Sequence, residues 1–254
     1  MPDWEQYAAF LLVFMRVIAF MVSGPLYAIK GMPPLFKVAS SLALAVVIYP
    51  AVEFELPLPA GTWGFGLAVV SEIGVGLLLG FAVTMILNSI RMAGAFIDLQ
   101  IGYAMSNVIG PSTGTMGTLL SQYLYLLGLV FFLVINGHHT LIIALAKSYQ
   151  LVPLSTAAFS GAISPVLLRI FAGTFTLGFQ VAAPILAVVL VTDLALGFLT
   201  RTTPQINVFL TGFPIKITVG LLTLSFLVPF YGSVFSSLLG TIEKDLYSLL
   251  EVLR

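Results

Sequence analysis

The sequence predicts an all-α integral membrane protein of about six long apolar helices, partly broken into hairpins. Three observations carry this. Hydrophobic residues make up 59% of the 254 positions, while charged residues make up only 8%, against about 25% in a soluble domain that must wet its surface. The mean hydropathy is +1.11, so the folded surface must face mostly lipid or other apolar protein. The apolar residues also gather in runs close to the ~20 residues a helix needs to cross a bilayer core.

Six runs stand out, at 8–23, 35–50, 64–90, 117–136, 163–199 and 214–239, and a weaker seventh at 92–107 is interrupted by Asp98 and Gln100. Turn residues separate them. Pro25, Gly31, Pro33 and Pro34 punctuate the first connection, and Pro57, Pro59 and Gly61 the second. Gly110, Pro111, Gly114 and Gly117 make a flexible loop, and Pro204 opens another break. At ~1.5 Å per residue the run 163–199 would reach ~55 Å, well beyond a ~30 Å hydrocarbon core. Pro184 lies near its middle and removes a backbone donor, which predicts a kink or two shorter helices in a hairpin.

The first run carries Asp3 and Glu5 ahead of it and Arg16 within it. A cleavable signal begins with positive charge, so the first helix is expected to remain in the mature protein. Lys30 and Lys37 mark the first connection as cytoplasmic, and Glu53 and Glu55 suit the opposite side. Arg201, Lys216 and Lys244 then fall on both sides of the last run, which a plain lipid-spanning bundle should not show. Residues 1–240 read as one polytopic domain. Residues 241–254 differ in kind. Ile242, Leu246, Leu249, Leu250 and Leu253 recur at helical spacing among charges, as in an amphipathic interfacial cap or a partner helix.

Ten basic residues balance ten acidic ones, so the chain lacks the basic field that binds nucleic acid. It has no cysteine, which excludes disulfides, thiol nucleophiles and cysteine-based metal sites. His138 and His139 are adjacent, point ~100° apart on a helix and belong to no HExxH pattern. After Asn136-Gly137 they fit a helix terminus with a polar cap. Gly110-Pro111-Ser112-Thr113-Gly114 has the G-x-S-x-G form of a hydrolase elbow, but such an elbow needs a strand before it and a helix after it. With His138 or His139 it would suit an intramembrane serine protease. Pro184 and Asp193 would suit a small-solute secondary transporter, though no internal repeat accompanies them.

Arg16, Glu72, Arg91, Asp98, Arg169 and Asp193 interrupt or border apolar runs. A central charge costs ~2.5–3.5 kcal/mol on insertion scales, so six facing lipid would cost on the order of 15–20 kcal/mol. That exceeds the typical ~5–15 kcal/mol stability of a fold. Most must be paired, reach an interface, or face water or another subunit, either as glue between helices or as an ion path. Arg91 and Asp98 share one helix face ~10 Å apart, so each should pair with a neighbouring segment. Gly74, Gly76 and Gly80 are one residue too widely spaced for a dinucleotide loop, and Gly76 with Gly80 forms a GxxxG pair that lets helices approach closely. Met105 and Met116 flank the glycine-rich loop, and flexible thioethers would suit a loop lining a pore.

Thr203-Pro204-Gln205-Ile206-Asn207-Val208-Phe209, followed by Gly212-Phe213-Pro214-Ile215-Lys216, resembles the C-terminal signature of the FliR family. Further matches run in order: Arg16 with Pro25 and Pro33; Glu72-Ile73-Gly74; Gly94, Asp98, Gln100 and Gly102; Asn136-Gly137-His138; then Asp193, Gly197 and Arg201. The resemblance covers nearly the whole chain. It implies a non-enzymatic subunit, without cofactor or metal, of the flagellar type III export gate in the bacterial inner membrane and flagellar basal body. It implies a helical, cone-like assembly with FliP and FliQ, association with FlhB, and passage of unfolded flagellar proteins through the centre. Much of such an assembly stands above the bilayer plane, which would account for the mixed charge topology.

The resemblance also assigns residues. Met105, Ser106, Asn107, Val108, Ile109, Gly110, Pro111, Gly114, Met116 and Gly117 match a loop that helps plug the closed channel, with Gly110 standing where many relatives carry an acidic residue. Arg16, Glu72, Gly76, Gly80, Arg91, Asp98, Asp193 and Arg201 become candidates for subunit assembly. So do Pro204, Gln205, Asn207, Phe209, Gly212, Pro214 and Lys216. The stretch from Pro204 to Lys216 is either an ordinary turn or a break that packs on a neighbouring subunit, because non-helical backbone at membrane depth must be covered by protein or line a wet cavity.

Overall fold

The computed structural model describes residues 4–25, 32–52, 61–103, 118–203 and 208–254, with the side chains of 208–210 excepted. Among these residues every regular element is helical. The helices are α1 (Trp4–Ser23), α2 (Pro34–Ile48), α3 (Thr62–Ile101), α4 (Leu119–Val134), α5 (Gly137–Leu151), α6 (Ile163–Thr202), α7 (Val208–Leu227) and α8 (Tyr231–Leu253). Short 3-10 turns at Tyr49–Ala51 and Val228–Phe230 follow α2 and α7. Five helical stretches are long and apolar enough to cross a bilayer, and α4 with α5 would make a sixth, broken one.

Local chemistry explains the boundaries. Pro33 is extended and Pro34 takes the first turn of α2, where a missing N–H costs nothing. Asn136 adopts a left-handed conformation at φ 58 between α4 and α5, which asparagine tolerates better than most residues. Its carbonyl accepts the N–H of His139 at 2.9 Å, so the next helix starts at once. Pro229 sits in the turn that separates α7 from α8.

The structure differs from the sequence reading in four places. The run 163–199 is not a hairpin, because α6 continues for 40 residues through Pro184. In apolar surroundings one lost ladder bond costs less than a turn with its polar groups exposed. The run 64–90 and the second run as far as Ile101 are one 40-residue helix, α3, since Asp98 finds donors on α4 and needs no break; residues 104–107 of that run lie outside the described residues. Helix α5 was not expected, as His138, His139 and Lys147 dilute its apolar character. The run 214–239 is divided at Pro229, and α8 continues without a break into the tail, ending at Leu253.

Two compact units are present, one of residues 1–85, 136–171 and 239–254, the other of residues 86–135 and 172–238. In the first unit α1 buries Ala9, Leu12, Val13 and Val17, α3 buries Val75, Leu79, Ala82 and Val83, and α5 buries Leu141 and Leu145. Ile242, Leu246, Leu249, Leu250 and Leu253 of α8 are all buried, and the Ala158 N–H donates to the Leu253 carbonyl at 2.9 Å. Gly76 and Gly80 lie against α1. A Cβ on Gly76 would strike the Arg16 carbonyl and come within 2.8 Å of the Ala19 Cβ, and one on Gly80 would strike Ser23 and the Phe20 carbonyl. The GxxxG pair therefore joins two helices of this same chain.

In the second unit α3 and α4 run antiparallel. Gly94 meets the backbone of Ser121, and Gly128 meets Ile90 one step further along. Phe131 stacks on Phe235 of α8 with centroids 5.0 Å apart. Gly178 of α6 lies on the Ser89 carbonyl, and Gly220 of α7 on Ile101.

Gly76→Ala should lower stability by about 1–3 kcal/mol, because overpacking forces α1 and α3 apart. Gly173→Ala, where a Cβ meets nothing within 4 Å, should be neutral. Thermal unfolding of both variants in the same detergent checks the contrast.

Candidate functional site

The charges inside the apolar helices define the polar geometry. In the first unit the Arg16 side chain is completely buried, as is Glu72. Arg16 Nε donates to Glu72 Oε2 at 2.6 Å, and a second nitrogen donates to Oε1 at 3.1 Å. This is the two-pronged pairing for which a planar guanidinium is suited. The third arginine nitrogen donates to Ser148 Oγ at 3.2 Å and to the Val152 carbonyl at 3.0 Å. Tyr149 lays its ring 4.3 Å from the guanidinium carbon and donates its hydroxyl to the Val13 carbonyl. Ser155 donates its N–H to Glu72 Oε1 at 2.9 Å from a left-handed backbone, φ 61. A non-glycine residue pays strain for that conformation, and here the strain delivers a donor to a buried carboxylate. Helices α1, α3 and α5 and the chain after α5 thus converge on one ion pair.

In the second unit Asp98 is also fully buried. Its Oδ2 accepts the N–H groups of Leu120 at 2.9 Å and Ser121 at 3.3 Å. These belong to the first turn of α4, whose N–H groups have no partner within their helix and whose dipole favours an anion. Arg91, seven residues earlier, lies over the ring of Tyr125, with 3.9 Å from its central carbon to the centroid. Both residues thus meet α4, as their spacing suggested. Asp193 of α6 pairs with Lys216 Nζ of α7 at 2.5 Å and accepts from Gln100 Nε2 of α3 at 3.2 Å. This second network is half-buried, with side-chain exposures of 22% for Lys216 and 30% for Asp193.

Other expected residues lie elsewhere. Arg169 reaches Asp245 at 4.0 Å on an exposed surface of the first unit. Arg201 and Pro214 are exposed and Gly212 is buried. The plug-loop positions Met105 to Gly117, with Ser112, lie outside the described residues, as do Pro204, Gln205, Asn207 and the side chain of Phe209. His138 and His139 occupy the first turn of α5 with ring centroids 5.1 Å apart. Among the described residues no group of three or more His, Asp or Glu is placed to hold a metal. Sequence reasoning missed Tyr125, Ser148, Tyr149 and Ser155, whose only signal was a polar side chain in an apolar context.

Large apolar side chains remain outside. Trp63 is 88% exposed, and Leu35, Phe198 and Phe226 are each more than 70% exposed. Only lipid or other protein chains can cover such surface. A helical protein that buries Arg16, Glu72 and Asp98 among its own helices and leaves wide apolar faces uncovered is built for an apolar solvent, as a membrane protein is.

Residues 7–242 match the family described as Bacterial export proteins, family 1. The chain is 34% identical over 223 residues, 87% of its length and 86% of the relative's, to the flagellar biosynthetic protein FliR of Bacillus subtilis (strain 168). It is 29% identical to FliR of Caulobacter vibrioides over 83% of this chain and 84% of that one. To FliR of Escherichia coli (strain K12) it is 28% identical over 89% and 87%. The chain belongs to this family of bacterial export proteins, as a membrane-embedded FliR component of flagellar export.

Arg16→Met should leave Glu72 as an uncompensated buried charge and cost about 3–5 kcal/mol, whereas Arg16→Met with Glu72→Met should restore most of that loss. Unfolding of the single and double variants in detergent measures the difference.

Proposed function

We propose that this chain is the FliR-type subunit of the flagellar type III export gate, without catalytic activity of its own. In this reading it sits in the inner membrane within the flagellar basal body, assembles with FliP and FliQ, and associates with FlhB. It helps form and close the channel through which unfolded flagellar proteins leave. The supporting observation is the division of labour among its surfaces. Arg16 and Glu72 satisfy one another within the chain and Asp98 Oδ2 accepts N–H groups of α4, yet only 28% of the most apolar stretch of α6 is buried. Those uncovered faces are the surfaces for sister subunits.

In the same reading Met105 to Gly117 form the plug, since glycines and Pro111 suit a compact loop that must rearrange. Asp193, Arg201 and the stretch from Pro204 to Lys216 contribute assembly contacts, and residues 241–254 cap the polytopic body. Asp193 is held by Lys216 and Gln100, which argues against its being a free ion site of a small-solute transporter.

Deleting residues 110–117 in the assembled complex should raise ion leak across the membrane while FliP and FliQ still co-purify. A leak equal to wild type rejects the plug. Loss of co-purification on neutralising Asp193 and Arg201 is the expected sign of assembly contacts. Ser112→Ala should retain wild-type export in a motility assay, and abolished export there would support a serine hydrolase instead.

A further inference from the structure

Among the described residues Arg91 is a charge without an anion. Its guanidinium lies on the Tyr125 ring, its Nε is buried with no hydrogen-bond partner, and no carboxylate among the described residues lies within ion-pair distance of it. The acids of its own unit are committed elsewhere, Asp98 to the backbone of α4 and Asp193 to Lys216. A ring face attracts a cation by about 0.5–2 kcal/mol but offers no acceptor to the buried Nε. Tyr125 alone does not complete this site.

The sequence on either side shows which anion would. From Ile73 to Ile90, immediately before Arg91, α3 carries no charged residue. Those residues span ~27 Å of helix, close to one hydrocarbon core. Helix α4 runs antiparallel beside Arg91, and from Leu126 to Ile135 it is also without charge. On the other side of the Arg91–Tyr125 level α3 carries Asp98 and Gln100 and α4 carries Ser121 and Gln122, whereas in the stretch before Arg91 the polar residues of α3 are the uncharged Thr84, Asn88 and Ser89. After Glu72, charge on α3 thus resumes at Arg91, at the level where the polar residues of α4 end. Tyr123, 48% exposed, lies at that height too, as expected of a tyrosine at a membrane interface.

We propose that Arg91 and Tyr125 form a recognition site for the phosphate of an anionic membrane lipid at the edge of the hydrocarbon layer. The guanidinium supplies forked N–H donors suited to phosphate oxygens, and the tyrosine ring holds the fork flat. The site is independent of how the channel closes.

The test uses the full chain purified in mild detergent and transferred to nanodiscs of phosphatidylcholine containing a minor fraction of phosphatidylglycerol, with retained lipids counted by native mass spectrometry. The wild type should retain phosphatidylglycerol preferentially. Arg91→Gln should weaken that retention about tenfold, the effect of losing one charge-assisted contact set. Arg91→Lys, which keeps the charge but not the fork, and Tyr125→Leu, which keeps the arginine, should each give a partial loss. They also serve if the glutamine variant folds poorly. Arg201→Gln, which removes the same charge from an exposed helix end, should leave retention unchanged. Equal retention by wild type and Arg91→Gln overturns the site. So does equal loss in Arg201→Gln, which would mean bulk charge alone. So does an Arg91→Gln protein that keeps its lipid but no longer co-purifies with FliP and FliQ, since the missing anion would then be a protein carboxylate.

Discussion

The Arg16–Glu72 pair is the interaction on which the first unit depends. An isolated charge in an apolar interior is prohibitively costly, and a buried pair breaks even only when its remaining donors and acceptors are also satisfied. That requirement specifies much of the surrounding structure. Arginine needs the Ser148 hydroxyl and the Val152 carbonyl, so α5 must end where it does. Glu72 needs the Ser155 N–H, so the chain after α5 must adopt a left-handed turn. Such a network is weak support for stability but a strong selector of register, because any slip of α1 against α3 leaves two charges unpaired.

The glycines make the pairing possible. Gly76 and Gly80 bring α1 to near backbone contact with α3, which places the α1 arginine within reach of a glutamate on α3. The second unit repeats the device with a different acceptor set. Gly94 brings the start of α4 against α3, and Asp98, one turn further on, receives two of its N–H groups. In both places a small residue permits close approach, and a charge one turn away specifies which approach is correct. Apolar packing alone is permissive in a chain with so few polar groups, so these pairings carry the information that soluble proteins spread over many surface residues.

The two kinds of charge differ in what they do for a membrane assembly. Arg16, Glu72 and Asp98 are sealed inside and serve the chain itself. Asp193 and Lys216 remain partly accessible, and among the described residues Arg91 meets an aromatic face and no carboxylate. Arg169 and Arg201 are exposed, while the exposed side chains of α6, such as Phe198, form a broad apolar coat. This is the arrangement expected of a membrane-embedded member of the export family, whose surface is mostly apolar.

The amino-acid sequence by itself determined the solvent and the class. Its 59% hydrophobic content, its scarcity of charge and its helix-length runs could describe only apolar helices, and the ordered motifs from Arg16 to Lys216 marked the family. It also showed that Arg91 and Asp98 must each find a neighbour, since the rise of a helix sets their separation. Tertiary structure alone decided who the neighbours are. Tyr149, Ser155 and Tyr125 are distant in sequence from the charges they meet, and no periodicity encodes such a pairing. Continuity was decided there too. Pro184 and Asp98 looked like breaks because local propensity penalises them, but α6 and α3 continue as helices past both. The physical reason is that, without water to satisfy a broken backbone, the cost of a local defect is smaller than the cost of a turn, and only the surrounding helices supply the donors that make the defect tolerable.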